Sequence, residues 1–128
     1  MQDKQVFEYA IIRVLPRVER GEFVNTGVVV YCKKQSFLKA KIQLNEQRIK
    51  SLYEEADVEE INNHLKAFEQ ICLGNLEAGP IAALDVPSRF RWLTAKRSTV
   101  IQASEIHPGL CTDPQAVLEK LFEQMVLT

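Results

Sequence analysis

The stretch of sequence that decides the fold is FEYAIIRVLPR, residues 7–17. It is rich in β-branched and aromatic residues, and apolar side chains occupy both its odd and its even positions. A strand that is apolar on both faces is typical of the centre of a sheet. Pro16 cannot donate a hydrogen bond to a neighbouring strand, so regular pairing should end near it. The stretch therefore predicts a central strand with a neighbour on each side.

Two further strand patterns follow it along the chain. Residues 22–32, EFVNTGVVVYC, come after a turn at Gly21 and lie close enough to the first strand to form an antiparallel hairpin. Gly27 inside this run indicates a bulge or a close approach of another backbone. Residues 36–44 alternate between apolar and polar side chains, which predicts a half-buried strand at the edge of the sheet.

Helical periodicity then replaces the strand patterns. Asn45 can cap a short helix, and Asp57 with Glu60 resembles a capping box at the start of a longer helix. Gly74 is the expected end of that helix. A loop is expected over 75–88.

The last third of the chain holds two helices and one strand. Ser88 is the candidate cap of a short helix, and 99–103 reads as a fourth strand, for which the first strand is the natural partner. A loop is expected over 104–113, and Asp113 followed by Pro114 opens the final helix. This order of elements predicts one α+β domain over residues 1–128, with an antiparallel sheet of about four strands and helices packed on one face.

Composition and charge exclude several classes of protein. Sixteen Lys and Arg against seventeen Asp and Glu leave a net charge of −1, which argues against a dedicated non-specific nucleic-acid binder. The longest apolar run, 28–32, is too short to cross a membrane. An odd number of widely spaced cysteines, Cys32, Cys72 and Cys111, favours reduced thiols. We therefore expect a cytosolic protein with no metal and no cofactor.

Arginines are concentrated in two windows. Six of the seven fall in the first hairpin or in the segment 89–97; they are Arg13, Arg17, Arg20, Arg89, Arg91 and Arg97. A guanidinium group makes forked hydrogen bonds to carboxylates and phosphates, so two windows that converge could hold one anionic ligand. The alternative is structural: Arg13 would pair with Glu8 or Glu22, and Arg20 would pin its own turn. If 99–103 pairs with the first strand, Arg13 or Arg20 should approach the 89–109 segment.

The second window contains further candidate ligand-binding groups. Arg97, Ser98 and Thr99 together offer a guanidinium group and two hydroxyls to an anion. An exposed Phe90 or Trp92 would allow a nucleobase to stack on it. The alternative is that both aromatic rings anchor the segment to the core.

His107 stands before Pro108 and Gly109, which predicts a loop position. Its spacing to Cys111 and Asp113 admits a metal site, a Cys–His nucleophilic pair or a hydrogen bond that locks the loop. The metal site lacks the paired spacing of zinc motifs, and a buried, inert cysteine is the usual case, so the locking role is favoured. The standard nucleotide-binding, zinc-protease and serine-hydrolase motifs are absent from the sequence.

Two blocks of this sequence resemble the bacterial domain-of-unknown-function family numbered 3037. The residues that carry the resemblance are Arg13, Pro16, Arg20-Gly21-Glu22, Asn25, Gly27, Arg89-Phe90, Trp92-Leu93, Arg97-Ser98, His107, Gly109 and Asp113-Pro114. The resemblance implies a small cytosolic bacterial protein with no established activity. It also implies a protein partner, because family members are often encoded beside a persistence-kinase-like protein.

Three functional hypotheses remain open. The first is a non-catalytic binding or accessory module that takes a phosphate, a nucleotide or an acidic partner; its candidate residues are Arg13, Arg20, Asn25, Arg89, Arg97, Ser98 and His107. The second is an enzyme acting on a phosphorylated or nucleotide substrate, with His107 as acid or base, oriented by Asp113 or Glu22. The third is a purely structural subunit. Convergence of these residues on one open pocket would favour the first two.

Overall fold

The computed structural model describes residues 3–127 and contains a five-stranded antiparallel sheet with four helices. The strands are β1 Gln5–Val14, β2 Val24–Cys32, β3 Phe37–Ile42, β4 Ile101–Ala103 and β5 His107–Cys111. The helices are α1 Glu46–Leu52, α2 Val58–Leu73, α3 Val86–Thr94 and α4 Pro114–Met125. The sheet runs β3-β2-β1-β4, and β5 pairs with the other half of the same edge of β1. The predicted α+β class, the antiparallel first three strands and the pairing of β4 with β1 are confirmed.

The central position of β1 follows from its two apolar faces. Ala10, Ile12 and Val14 point to one side of the sheet and are fully buried, whereas Phe7 and Ile11 point to the other side and are also buried. A strand of this kind is stable only when both of its faces are covered. It ends at Val14 as Pro16 predicts.

Helices cover both faces of the sheet, which differs from the expected single covered face. The α1, α2 and α3 helices pack on the side of Ile12, through residues such as Leu65 and Leu93. The α4 helix packs on the side of Ile11, through Leu118 and Phe122. The second layer is required because β1 and β2 are apolar on their second face as well.

A bulge in β2 lies where Gly27 predicts one. Ile12 of β1 faces Gly27, but Arg13 faces Asn25, so Thr26 is the extra residue. A Cβ atom at Gly27 would lie only 2.8 Å from the carbonyl oxygen of Lys41. Both functions expected of this glycine, the bulge and the close approach, are therefore present.

Three of the four predicted N-terminal helix caps are confirmed. The side chains of Asn45, Asp57 and Asp113 accept hydrogen bonds from backbone N–H groups in the first turns of α1, α2 and α4. The third helix is capped by Asp85 rather than Ser88, whose backbone N–H donates to the Asp85 carboxylate at 2.9 Å. The 75–88 connection is not an irregular loop, since it contains two short 3-10 helices, Leu76–Ala78 and Pro80–Ala83.

The strand β5 occupies half of the segment 104–113 that is predicted as a loop. Pro108 and Gly109 signal a turn in sequence, but β5 is an edge strand, where a missing N–H donor is tolerated. Gly109 lies directly opposite Phe7, and a Cβ atom there would come within 2.5 Å of the Phe7 ring. The glycine is thus needed for packing rather than for a turn.

We expect Gly109→Ala to lower the free energy of unfolding by about 1–3 kcal/mol, because its methyl group would displace the buried Phe7 ring. Urea denaturation measures the loss. The double variant Phe7→Leu/Gly109→Ala should lose less than the sum of the two single variants, since leucine frees the space that the ring fills. Additive losses, or a stable Gly109→Ala variant, would contradict the contact.

Candidate functional site

A cavity of about 460 Å³ lies between α2 and the segment 92–102. Phe68 and Ile71 of α2 and Leu93 of α3 are buried and form its apolar floor. Arg97, Ser98 and Thr99 line it from the connection that follows α3. The other lining residues are Val18, His64, Ala67, Trp92, Val100, Ile101 and Gln102. We call this cavity the Arg97 pocket.

Arg97 is held firmly at this pocket. Its guanidinium carbon lies 4.1 Å from the centre of the Trp92 ring, which is cation–π stacking distance. One terminal nitrogen donates to the carbonyl oxygen of Leu93 at 3.4 Å, and the other donates to the carbonyl oxygen of Trp92. These carbonyls lie at the C-terminal end of α3, where a cation is favoured. Burial lowers the pKa of Arg97, and an arginine remains charged at neutral pH.

Charge at the Arg97 pocket is unbalanced. No carboxylate occurs among the described residues that line it, and Arg97 forms no ion pair within residues 3–127. The other titratable side chain at the pocket is His64, whose Nε2 lies 3.6 Å from the Glu60 carboxylate on α2. A positive group therefore faces the pocket without a negative partner.

Hydrogen bonds fix the connection that carries Arg97. The Thr99 hydroxyl donates to the carbonyl oxygen of Ile101 at 2.8 Å, and the Gln102 amide donates to the carbonyl oxygen of Thr99 at 2.9 Å. The exposed Ser98 hydroxyl has no hydrogen bond in the part of the chain that the structure describes. Ser98 thus keeps a free donor beside Arg97.

Arg13 approaches the 89–109 segment at the β1–β4 pairing, as predicted. It lies directly opposite Gln102, and the backbone N–H of Leu15 donates to the carbonyl oxygen of Val100 at 2.7 Å. Arg13 and Arg97 lie on opposite faces of the sheet, however. Arg13 alternates with Ile12 and Val14, which face α2, so its side chain points toward the α4 side, away from the Arg97 pocket.

Arg13 and Asn25 form a separate polar pair next to α4. The Arg13 guanidinium stacks on the ring of Phe23 at 4.2 Å, and the Asn25 amide donates to the carbonyl oxygen of Met125 at 3.2 Å. The buried Nε of Arg13 and Oδ1 of Asn25 have no hydrogen-bond partner within residues 3–127. They are a donor and an acceptor on directly paired residues.

Arg20 takes the local role that the structural interpretation gives it. Its Nε lies 2.5 Å from the Glu22 carboxylate across the hairpin turn, and both side chains are exposed. Hydrogen bonding to Arg20 lowers the pKa of Glu22, and the same bond raises the pKa of Arg20. Both partners are solvated, so the pair adds little to stability.

Arg89 joins α2 to α3. Its guanidinium donates to the carbonyl oxygen of Leu84 at 2.8 Å and lies 3.3 Å from the position of a Cβ atom at Gly74, the C-terminal cap of α2. Its Nε is buried and has no hydrogen-bond partner among the described residues. These contacts place Arg89 in the scaffold beneath the 75–88 connection rather than in the Arg97 pocket.

The three residues of the enzyme hypothesis lie apart. His107 is exposed on β5, and its ring lies 5.3 Å from that of Tyr9. Asp113 caps α4 beyond the other end of β5, and Glu22 pairs with Arg20 past the far end of β1. Both are separated from His107 by roughly 15 Å or more of extended chain.

His107 also lies far from the cysteine considered as its partner. Cys111 is at the opposite end of β5, roughly 13 Å away along the strand, and is buried. Burial raises the pKa of Cys111. The loop-locking role expected of His107 is replaced by strand pairing opposite Tyr9. Across residues 3–127, no three His, Cys, Asp or Glu side chains cluster in a metal-binding arrangement.

The sequence matches a known family along most of its length. Residues 9–126 match the family described as a protein of unknown function, DUF3037. The chain belongs to this family. No curated protein and no solved structure matches the chain. In the DUF3037 protein, none of the helices within residues 3–127 combines the length and the hydropathy needed to cross a membrane.

Sequence reasoning missed the α2 wall of the Arg97 pocket. His64 reads as a surface residue, and Phe68 and Ile71 read as core residues of a helix stripe. Nothing in the local pattern shows that this stripe borders a cavity, because the opposite wall comes from residues 92–102.

Arg89→Ala should lower the free energy of unfolding by about 1–3 kcal/mol, since it removes the hydrogen bond to Leu84 and the packing against Gly74. Urea denaturation measures the loss. Arg91→Ala is the matched control, as that side chain is exposed on the same helix. Equal stability of the two variants would contradict a scaffold role for Arg89.

Stability should fall as the pH rises above 9, because burial raises the pKa of the Cys72 thiol from 9.0 to about 12. Between these values the unfolded chain loses a proton that the folded chain keeps, at up to about 1.4 kcal/mol per pH unit. Urea denaturation from pH 8 to 11 should show a shallower decline in Cys72→Ala than in the parent. Parallel slopes would contradict the shift.

Proposed function

We propose that this DUF3037 protein is a non-catalytic cytosolic binding module that holds an anionic group at Arg97. The observation that carries the proposal is a partly buried guanidinium group that faces an open pocket with no carboxylate among its described lining residues. The carbonyl oxygens and the Trp92 ring that contact this group carry no negative charge, so they do not neutralise it. A bound anion would neutralise it.

Hydrogen-bonding capacity supports the same assignment. Arg97 uses two of its terminal N–H groups on the backbone carbonyls of α3, which leaves about three of its five donors unused. The free Ser98 hydroxyl stands next to it in sequence and lines the same pocket. A phosphate or a carboxylate accepts hydrogen bonds from such a set of donors. Trp92 stacking limits the freedom of the guanidinium before any ligand arrives.

Four other candidate residues do not contribute to this pocket. Arg13, Arg20, Asn25 and Arg89 all lie outside it, and each has structural contacts of its own. The partner implied by the family, a persistence-kinase-like protein, stays a prediction, and an acidic segment of such a partner is one source of the anion. No contact among the described residues favours the enzyme hypothesis.

Arg97→Gln should weaken the binding of inorganic phosphate or AMP by about tenfold or more, because the charged hydrogen bonds are lost. Trp92 is the only tryptophan and lines the pocket, so its fluorescence reports binding, with calorimetry as a second readout. Arg20→Gln is the matched control and should bind as the parent does.

A different result is that the parent chain binds no anion and that Arg97→Gln is less stable than the parent. Arg97 would then serve to stabilise the C-terminal end of α3. That outcome would favour the structural-subunit hypothesis. Unchanged binding in Arg97→Gln would place the anion elsewhere and overturn the proposal.

A further inference from the structure

The walls of the Arg97 pocket differ sharply in chemistry. Its floor is hydrocarbon and aromatic, from Phe68, Ile71 and Leu93, and these side chains are buried in the main core. Its polar groups are confined to the segment 97–102 and to His64 on the rim. The pocket is therefore amphipathic, with one cationic side and one apolar side.

An inorganic anion would use only the cationic side. It would leave the accessible apolar lining, such as Ala67, Trp92 and Ile101, in contact with water. Burying such surface is a main source of affinity in small-molecule sites. A volume of about 460 Å³ lies within the range of pockets that hold small organic ligands. The occupant that uses both sides has an apolar body and a single anionic head.

We propose that the pocket takes an amphiphile with a single anionic head group, a carboxylate or a phosphate monoester, that carries an aliphatic or aromatic body. This inference rests on the proposed function, since the head group would bind at Arg97 and Ser98. The body would lie against Phe68 and Ile71. Arg97 is the single lysine or arginine in the described lining, which favours a single anionic group over a polyphosphate chain.

Nucleotides fit the pocket less well than such amphiphiles do. A nucleobase needs donors and acceptors for its edges, and the apolar floor offers none. Trp92 is 39% exposed, but one of its faces is already covered by Arg97. Base stacking there would have to use the remaining face. A hydrocarbon or plain aromatic body makes no such demand.

The test compares four probes by Trp92 fluorescence and calorimetry: decanoate, octyl phosphate, AMP and inorganic phosphate. We expect decanoate and octyl phosphate to bind at least tenfold more tightly than inorganic phosphate. The affinity for AMP should lie between that for the two amphiphiles and that for inorganic phosphate. Decanoate and octyl phosphate distinguish a carboxylate head from a phosphate head. Decanol serves as the uncharged control and should bind more weakly than decanoate, because it cannot pair with Arg97.

Two variants separate the apolar side from the cationic side. Ala67→Phe fills the pocket from an exposed position on α2 and should abolish decanoate binding with little effect on inorganic phosphate. Ala116→Phe, at an exposed position on α4, is the matched control and should bind as the parent does. Arg97→Gln should weaken both probes.

The outcomes distinguish this inference from the proposed function. If phosphate or AMP binds at Arg97 and a hydrocarbon body adds no affinity, the amphiphile proposal is wrong and the proposed anion site is retained. Decanoate binding that survives Ala67→Phe would also overturn it. No binding of any probe by a folded parent chain would overturn both proposals.

Discussion

The structure depends on the backbone hydrogen bonding of β1 along both of its edges. One edge pairs with β2, and the other is shared by β4 and β5. Both faces of β1 are apolar, so this double pairing forces a covering layer on each side of the sheet. The three layers of the fold, helices, sheet and helix, therefore follow from the absence of a polar face on β1.

The shared edge of β1 also produces the pocket. Ser104 lies between the two short strands, where its hydroxyl accepts a hydrogen bond from the Ile11 backbone N–H at 2.8 Å. The pairing of β4 with the end of β1 then directs residues 97–100 back over α2. No strand within residues 3–127 pairs with the outer edge of β4. The Arg97 pocket is thus a product of sheet topology as much as of its side chains.

Sequence patterns predicted the elements that are stabilised by interactions between residues close in sequence. Strand periodicity located β1, β2 and β3, and the side chains of Asn45, Asp57 and Asp113 cap helices as their positions indicate. The strand β5 was missed because Pro108 and Gly109 are turn formers unless an edge position and a neighbouring ring override them. The division of the arginines between two faces depends on pairing register over long sequence distances, which no single window contains.

Most of the residues that stand out in the sequence have structural roles in the fold. Gly27 and Gly109 are required by close contacts, Asp113 by a helix cap, and Arg89 by a carbonyl oxygen at the junction of two helices.

Arg97 and Ser98 differ, since one keeps unused donors and the other has no hydrogen bond among the described residues. The two carbonyl oxygens of α3 and the Trp92 ring hold the Arg97 guanidinium group, but none of them carries a negative charge. Its positive charge therefore faces the pocket without being neutralised. In our proposal, the head group of an amphiphilic anion would neutralise this charge, and its hydrocarbon body would cover the apolar side of the pocket.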